Sequence, residues 1–182
     1  GLRFRISPRS FYQVNRTQAE RLYGKALAAA GLTGTETVLD LYCGTGTITL
    51  CLARQAKRAV GVELVEAAIR DAQENARRNG IGNAEFFCAD AGQAAQRLCA
   101  AGETPDVIVV DPPRKGCDEA ALTSIAEMAP RTVVMVSCNA ATAARDTKWL
   151  TEHCYKAVEV QPVDLFPRTR HVEAIVSLQR EI

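Results

Sequence analysis

The fold is indicated most clearly by one segment of the sequence, Thr37-Val-Leu-Asp-Leu-Tyr-Cys-Gly-Thr-Gly-Thr-Ile-Thr49. Its first five residues have the apolar, β-branched character of a buried strand, and two glycines follow shortly afterwards. Glycines in such a turn let a ligand approach the backbone at the carboxyl end of the strand, where a side chain would block it. The sequence therefore predicts a strand at 37–41, a ligand-binding turn and a helix at 47–57.

Outward from this stretch, short apolar runs alternate with longer helical patterns, which is typical of β-α-β units that build a parallel sheet. Strands are predicted at 37–41, 59–63, 84–88, 107–110 and 132–136, and helices at 47–57, 65–79, 91–100, 118–127 and 140–151. The pattern therefore predicts an α/β fold.

Different patterns precede and follow these units. Apolar residues at helical spacing predict a leading helix at 16–30, and two β-rich runs at 155–165 and 172–178 predict a C-terminal hairpin. We expect a single domain over the whole chain. A strand and helix extension would occupy 1–35, and the sheet core would occupy 36–182.

Composition limits the class of protein. With 182 residues, of which 47% are hydrophobic and 24% charged, the chain matches an ordinary soluble domain. Its apolar runs are far shorter than the roughly 18 residues that a membrane span needs, so no membrane association is expected. The seven cysteines form no C-x-x-C pair, which argues against a disulfide framework and a zinc site. A reducing, cytoplasmic location without a bound metal is expected.

The basic residues are concentrated near the N-terminus. Residues 1–25 contain six basic residues against Glu20 alone, although the net charge of the chain is only +1. Such a segment could contact phosphates, or it could be a solvated surface. Because the chain starts at Gly1 without a methionine, we expect a fragment or a processed product.

Acidic residues end the predicted strands at the edge where such a sheet binds ligands. Glu63 ends the second strand, where a carboxylate can accept both hydroxyls of an adenosine ribose. Asp90 ends the third, where it could accept a hydrogen bond from an adenine amino group or cap the next helix. Asp40 and Asp111 belong to the first and fourth strand ends. A dinucleotide fold would need glycine or alanine in place of Thr49, so these residues favour S-adenosylmethionine as the cofactor.

Two further motifs indicate where a reaction could take place. The prolines of Asp111-Pro-Pro-Arg-Lys-Gly116 cannot extend a central strand, so they would hold the chain rigid beside a reacting base. Cys138 ends the fifth strand just before a helix, whose N-terminal amides would favour a nucleophilic thiolate. Glu173 follows a polar turn, where it could equally be a surface residue. Four other cysteines are assigned to buried, inert positions: Cys51, Cys88, Cys99 and Cys154.

Six sequence blocks follow one another along nearly the whole chain: Ser10-Phe-Tyr-Gln-Val-Asn15, Asp40-Leu-Tyr-Cys-Gly-Thr-Gly46, Gly61-Val-Glu63, Asp111-Pro-Pro-Arg-Lys-Gly116, Ser137-Cys-Asn139 and His171-Val-Glu173. Together they resemble the RNA uracil-5-methyltransferases, a family whose members act on transfer RNA or ribosomal RNA. The resemblance implies a Rossmann-like class I S-adenosylmethionine-dependent methyltransferase, with a seven-stranded, mostly parallel sheet and an antiparallel C-terminal hairpin.

The resemblance also implies roles for individual residues. Cys138 would be the nucleophile that adds to carbon 6 of uracil, and Glu173 the base that removes the carbon 5 proton after methyl transfer. The residues expected at the cofactor are Gln13, Tyr42, Glu63, Asp90 and Asp111. The expected partner is RNA, with ribosomal RNA ahead of transfer RNA. The RNA-binding regions that family members carry upstream are expected to lie outside this chain.

Two other functions remain as alternatives. A methyltransferase for exocyclic base amines usually has an aromatic residue where this chain has Arg114, and it would leave Cys138 without a role. A catalytically silent RNA-binding module with the same fold would be expected to have lost Cys138 or Glu173, and both are present. A zinc deaminase is disfavoured because no Pro-Cys-x-x-Cys follows His171.

Overall fold

Strands and helices alternate along most of the chain in a computed structural model, which describes residues 1–6, 13 and 15–181. The helices are α1 (Arg16–Ala30), α2 (Thr47–Ala53), α3 (Glu66–Arg78), α4 (Ala91–Ala100), α5 (Glu119–Met128) and α6 (Ala140–Thr151). The strands are β1 (Thr37–Leu41), β2 (Arg58–Glu63), β3 (Ala84–Cys88), β4 (Val107–Val110), β5 (Thr132–Ser137), β6 (Tyr155–Val163) and β7 (Glu173–Arg180). With one exception, their bounds lie within about two residues of the prediction, as expected for patterns this regular.

The seven strands form one sheet in the order β3-β2-β1-β4-β5-β7-β6. Strands β1 to β5 are parallel, whereas β7 runs antiparallel to both β5 and β6. This topology confirms the predicted α/β fold with its antiparallel C-terminal hairpin. The strand order reverses between β1 and β4, and at such a point the carboxyl ends of the strands leave a crevice for a ligand.

The sheet has an apolar layer on each face. Along β4, Val107 and Val109 pack on the side of α1 and α2, whereas Ile108 and Val110 pack on the side of α4, α5 and α6. All four side chains are completely buried, as expected for a central parallel strand with helices on both faces. Burying each such side chain stabilises the fold by about 1.5–3 kcal/mol. The strand ends that carry the acidic residues are therefore held by a packed core.

Helix α2 ends at Ala53, four residues before the predicted end at Lys57. The side-chain amide of Asn83 donates hydrogen bonds to the carbonyl oxygens of Ala53 and Ala56, at 2.8 and 2.9 Å. The Lys57 amide donates to the Glu36 carbonyl at 2.9 Å instead of continuing the helix. The helix is thus ended by partners distant in sequence, which its own residues do not reveal.

The segment before β1 contains the predicted leading helix. Asn15 caps α1 by accepting a hydrogen bond from the Gln18 amide at 3.3 Å, and the helix ends at Gly31, whose φ is +57°. Residues 1–6 form neither helix nor strand, so the strand predicted for this extension is not found there. Residues 7–12 and 14 lie outside the described residues.

The seven cysteines are all free, but their burial differs from the expectation. Cys88 and Cys154 are exposed, and Cys51 and Cys99 are half-buried, so the prediction of four buried thiols was wrong. The reason is that Cys88 lies at the end of an edge strand and Cys154 in the turn before another. The fully buried thiols belong to Cys43 and Cys117.

Membrane spans and metal sites were both expected to be absent. In the part of the chain that the structure describes, no helix has the length and apolar character to cross a bilayer. Nor do three or more His, Cys, Asp or Glu side chains among those residues form a group that could hold a metal ion.

Candidate active site

A cavity of about 630 Å³ lies at the carboxyl ends of the parallel strands, where the strand order reverses. Its size is in the range of small-molecule and cofactor sites, about 300–1,000 Å³. The seven residues predicted for the site all line it: Gln13, Tyr42, Glu63, Asp90, Asp111, Cys138 and Glu173. The structure therefore brings the proposed cofactor residues and the proposed catalytic pair to one place. Four neighbours of Gln13 in its sequence block, at 10–12 and 14, lie outside the described residues.

The turn after β1 has three residues in the left-handed region of φ. They are Tyr42, Gly44 and Gly46, at +69°, +55° and +79°. A Cβ on Gly44 would meet nothing within 4 Å, and Gly44 lines the cavity, as predicted for a glycine that leaves room for a ligand. A Cβ on Gly46 would lie 3.0 Å from the Phe86 ring and 3.1 Å from Ala72. Gly46 is therefore required by packing and backbone conformation.

Glu63 is fixed by the backbone at the end of β2. One of its carboxylate oxygens accepts a hydrogen bond from the Gly44 amide at 3.2 Å, and the other accepts one from the Val65 amide at 2.8 Å. Each oxygen keeps a second lone pair for a further donor. The carboxylate is thus held beside the glycine turn with capacity to bind two hydroxyl groups.

Asp90 serves as the N-cap of α4. Its Oδ1 accepts a hydrogen bond from the Gln93 amide at 3.1 Å, which satisfies one of the free amides at the start of that helix. Its Oδ2 has no hydrogen-bond partner within residues 1–6, 13 and 15–181. The helix-capping interpretation and the ligand-binding interpretation are therefore compatible, because each uses a different oxygen.

Asp40 lies inside β1 and is only 1% exposed. Its Oδ2 accepts a hydrogen bond from the Thr49 hydroxyl at 2.5 Å, while its Oδ1 is buried without a partner among the described residues. Burial raises the pKa of Asp40 to about 7, against the opposing effect of the Thr49 hydrogen bond. Thr49 was the residue that argued against a dinucleotide-binding fold in the sequence. In the structure it donates a hydrogen bond to the buried carboxyl group of Asp40, which lines the cavity.

The proline-containing loop after β4 is held by α6. The side chains of Asn139 and Thr142 both donate to the Arg114 carbonyl oxygen, at 3.0 and 3.3 Å. Arg145 donates to the Lys115 carbonyl oxygen at 3.0 Å. These bonds fix the loop relative to the helix that begins just after Cys138. Except for Asn139, which belongs to a motif block, the residues that hold the loop carry no signal in the sequence.

The end of this loop requires both a glycine and a buried carboxylate. Gly116 has a φ of +81°, and a Cβ there would collide with Arg145 and Asp146. Asp146 is completely buried and accepts hydrogen bonds from the Cys117 amide at 2.8 Å and from Arg145 Nε at 2.7 Å. Leaving a buried carboxylate without these partners costs about 1–3 kcal/mol or more, and because Arg145 is 55% exposed, solvent screens its share of this energy. We therefore expect the loop position to be rigid.

The antiparallel strand β7 brings Glu173 to Cys138. The last recorded pair between β5 and β7 is Ser137 with Ala174, so Cys138 directly follows that pair on one chain segment and Glu173 directly precedes it on the other. Both residues line the same cavity, and the charge of Glu173 acts on the Cys138 thiol. Glu173 is only 3% exposed, which excludes the surface position that the sequence left open.

Arg114 is a cationic residue that lines this part of the cavity, next to Lys115. Its Nη2 lies 3.1 Å from Nδ1 of His171, which links the proline-containing loop to the connection before β7. Its charge also acts on both Cys138 and Glu173. The sequence assigned Arg114 no role beyond the absence of an aromatic ring at its position.

The state of the Cys138 thiol differs from the prediction. Burial raises the pKa of Cys138, and the negative charge of Glu173 raises it further, although Arg114 acts in the opposite direction. These effects outweigh the stabilisation of a thiolate that was predicted from α6, and one amide at the start of that helix, that of Ala141, donates to the Asn139 side chain at 3.1 Å. Their direction favours the protonated thiol of Cys138 over the thiolate.

Two carboxyl groups share the low-dielectric end of the cavity. Burial raises the pKa of Asp111 to about 8, and the charges of Glu173 and Asp40 contribute to that rise. Burial also raises the pKa of Glu173, against the opposing charge of Arg114. Neighbouring carboxylates in such surroundings do not both ionise readily. This pair can therefore hold or release a proton close to the Cys138 thiol.

Comparison with known proteins assigns the chain to a family. The family model described as tRNA (uracil-5-)-methyltransferase matches residues 1–181. The chain belongs to this family. The family predicted from the six sequence blocks is thereby confirmed.

Curated relatives of the family are similar over the whole chain. An RNA methyltransferase of Listeria monocytogenes is 54% identical over 178 residues, which are 98% of this chain and 39% of the relative. An RNA methyltransferase of Lactiplantibacillus plantarum is 52% identical over 182 residues, which are 100% of this chain and 40% of the relative. The chain thus spans about two fifths of the length of these relatives.

Solved structures agree with this assignment. The tRNA (uracil-54, C5)-methyltransferase of Pyrococcus abyssi, solved with S-adenosyl-L-homocysteine, has a TM-score of 0.82 and 34% identity, over 95% of this chain and 41% of that one. A precorrin-6y C5,15-methyltransferase from Geobacter metallireducens has a TM-score of 0.76, covering 97% of this chain and 94% of that one. At 12% identity the latter similarity shows the fold alone. The predicted methyltransferase fold is confirmed.

Proposed function

We propose that this chain is the catalytic domain of an enzyme that transfers a methyl group from S-adenosylmethionine to carbon 5 of a uridine in RNA. The observation that carries the proposal is the cavity shared by the Cys138 thiol, the buried Glu173 carboxyl and the acidic residues at the strand ends. Family membership supports the same reaction. The alternative of amine methylation would leave this thiol and carboxyl pair without a role.

The free acceptors of the cavity support binding of the adenosyl group. We assign the ribose hydroxyls to Glu63 and the adenine amino group to Oδ2 of Asp90, with Gln13 and Tyr42 as further contacts. The space beside Gly44 leaves room for the ligand at the backbone. When bound, S-adenosylmethionine supplies a methyl group on a positively charged sulfur, which keeps the bonding electron pair when the methyl group leaves.

Cys138 would start the reaction by adding to carbon 6 of the uracil ring. Because its thiol is protonated in the free protein, a proton must leave the sulfur as the S–C6 bond forms. Burial raises the pKa of Asp111 to about 8, so that group is largely protonated near neutral pH, and we assign the thiol proton to the Glu173 carboxylate. Glu173 passes this proton to water before it acts at carbon 5, and Arg114 stabilises the negative charge on sulfur. The electrons of the C5–C6 double bond move towards the carbonyl oxygen at carbon 4, which makes carbon 5 nucleophilic.

Glu173 would complete the reaction. Once carbon 5 carries the new methyl group, the Glu173 carboxylate removes the remaining proton from carbon 5. The double bond re-forms as the S–C6 bond breaks and the Cys138 thiolate leaves. A positioned base of this kind contributes about 100- to 10,000-fold to the rate. The position of Glu173 in the same cavity as Cys138, next to the last pair of β5 and β7, supports this assignment.

The proposal is tested with the full-length protein, radiolabelled S-adenosylmethionine and total RNA from cells that lack 5-methyluridine. We expect label in RNA that digestion releases as 5-methyluridine. Label on an exocyclic amine of adenine or guanine, or no label in any RNA, would contradict the proposal.

The same assay identifies the RNA. Ribosomal RNA is the substrate that we propose from the sequence, whereas the family description and the Pyrococcus abyssi relative point to transfer RNA. Separating the labelled RNA by size distinguishes the two. We also propose that the RNA-binding regions lie in the part of the full-length protein outside this chain, since its relatives are longer.

We further propose that the enzyme works in the cytoplasm. All seven cysteines are free, and Cys88 and Cys154 are exposed. Exposed free thiols persist best in a reducing compartment.

A further inference from the structure

The first residues of the chain lie against helix α3 through two asparagine side chains. We call residues 3–5 the N-terminal strap. Asn75 accepts a hydrogen bond from the Arg5 amide at 2.6 Å and donates to the Arg5 carbonyl oxygen at 3.1 Å. Asn79 accepts from the Arg3 amide at 2.8 Å and donates to the Arg3 carbonyl oxygen at 2.7 Å. Each side-chain amide thus pairs with both backbone groups of one strap residue.

The spacing of the two asparagines explains this match. Residues four apart on a helix are separated by about 6.0 Å along its axis. Residues two apart in an extended chain are separated by about 6.6 Å. Asn75 and Asn79 therefore present their amides at nearly the repeat of an extended strand, and alternate strap residues can bind both.

Asn75 makes one contact that Asn79 does not. Its amide nitrogen also donates to the Thr45 carbonyl oxygen at 3.2 Å, and the Asn75 side chain is completely buried. Thr45 lies between Gly44 and Gly46 in the turn that lines the cavity. A single side chain therefore connects the strap to the glycine turn.

The glycine turn needs such support from outside. Tyr42 at its start is a non-glycine residue in the left-handed region, a conformation that costs about 1–3 kcal/mol and persists only when the surroundings hold it. Both donor hydrogens of the Asn75 amide are used, one on the strap and one on the turn. Release of the strap would leave the amide free to rotate away from Thr45.

We infer that Asn75 is a positioning residue that couples docking of the N-terminal strap to the shape of the cofactor turn. The inference rests on the proposed function, because the bound cofactor is the readout. By linkage, a cofactor that favours the ordered turn must favour the docked strap to the same extent. Asn79 binds the strap and also donates to the Asn75 carbonyl oxygen at 2.8 Å, but it has no recorded contact with the turn, so it offers a comparison.

The first test compares Asn75→Asp with Asn79→Asp in the full-length protein. Each replacement keeps an acceptor oxygen and removes the two donor hydrogens, one within α3 and the other at its C-cap. At the buried Asn75 it also places a carboxyl oxygen opposite the carbonyl oxygens of Arg5 and Thr45. We expect Asn75→Asp to weaken the binding of S-adenosylhomocysteine about 10-fold, since one buried hydrogen bond to the turn is lost. Asn79→Asp should change this affinity less than about 2-fold. Isothermal titration calorimetry measures both, and circular dichroism checks that both variants are folded.

The second test alters the strap alone. Arg5→Pro removes the backbone donor to Asn75, and Arg3→Pro removes the matching donor to Asn79. We expect about 3-fold weaker binding of S-adenosylhomocysteine for Arg5→Pro and wild-type binding for Arg3→Pro. The side chains of Arg3 and Arg5 are both exposed, so neither replacement removes a buried side chain, and this test remains available if Asn75→Asp does not fold.

The outcomes separate this inference from the proposed function. If the wild-type protein binds no S-adenosylhomocysteine, the proposed cofactor is wrong. If the wild type binds it and Asn75→Asp binds it equally well, the positioning role of Asn75 is wrong. If Asn75→Asp weakens binding but Arg5→Pro does not, the coupling to the strap is wrong. Equal losses for the Asn75 and Asn79 variants would likewise overturn the inference.

Discussion

The carboxyl groups at the two ends of the cavity differ in their hydrogen bonding. At the end formed by β2 and β3, Glu63 and Asp90 accept hydrogen bonds from backbone amides. At the end formed by β4 and β7, the side-chain carboxyl groups of Asp111 and Glu173 have no hydrogen bond in the described part of the chain, and burial raises the pKa of each. At the first end the carboxylates are held in place as acceptors for the proposed cofactor. At the second end the carboxyl groups have raised pKa values and can take up or release protons. Binding and reaction should therefore be separable by mutation.

The sharpest separation is expected at Cys138. Cys138→Ala should reduce methyl transfer more than about 10,000-fold and form no covalent RNA adduct, because the nucleophile is lost. Its affinity for S-adenosylhomocysteine should change less than about 2-fold, since the binding end is untouched. Methyl-transfer kinetics, denaturing gels and calorimetry measure these effects. Cys154→Ser, at an exposed thiol away from the cavity, is the matched control. Rapid, complete methyl transfer by Cys138→Ala would refute the assignment.

A smaller loss, with a different product, is expected at Glu173. Glu173→Gln keeps the size of the side chain but removes the base, so turnover should slow about 100- to 10,000-fold. The reaction should then stop after methyl transfer, and a covalent adduct with RNA should accumulate on a denaturing gel. A Glu173→Gln variant that turns over at the wild-type rate without an adduct would show that another group removes the proton.

At the binding end, the expected effect is on affinity. Glu63→Gln places an amide NH₂ group near the Gly44 or Val65 amide, both of which are donors, so the ordered carboxylate is lost. We expect S-adenosylhomocysteine to bind about 10- to 100-fold more weakly, the range for hydrogen bonds to a charged group. Calorimetry measures this, with Glu66→Gln on the exposed start of α3 as the control. Unchanged affinity in Glu63→Gln would remove the proposed ribose contact.

The smallest expected effect is on stability and depends on pH. The pKa of Asp111 is about 8 in the folded protein, against an ordinary value near 3.8, so between these pH values the folded state holds more protons. The free energy of unfolding should therefore fall as the pH rises from about 4 to about 8. Asp111→Asn should lessen the fall between pH 5 and pH 8 by about 1 kcal/mol or more in urea unfolding. Identical pH profiles for both proteins would contradict the raised pKa.

Most of the fold could be predicted from the sequence because each element carries its own periodicity. The end of α2 could not, because Asn83 fixes it from 30 residues away. The residues at the end of the cavity formed by β2 and β3 could also be predicted from the sequence, since strand ends and glycine turns are local patterns. The protonation state of Cys138 was not, because it depends on Glu173 and Arg114, which other strands and loops supply.

The contacts that hold the loops of the site in place were the hardest part of the site to predict from the sequence. Asp146 supports the proline-containing loop from the middle of a helix, and Asn75 reaches both the strap and the turn from the middle of another. A polar residue at a buried helical position gives no indication in sequence of which backbone group it will meet. Such contacts arise only when the packed elements are assembled.

The antiparallel direction of β7 limits where insertions and deletions can be tolerated in this part of the sequence. Glu173 is the first residue of that strand, so the proposed base lies at the start of a strand, whereas Cys138 follows the end of one. Side chains alternate between the faces of a sheet, so deleting one residue within β7 would reverse the side to which Glu173 points. We therefore expect length variation in the connection before β7 to be tolerated far better than any insertion or deletion inside the strand itself.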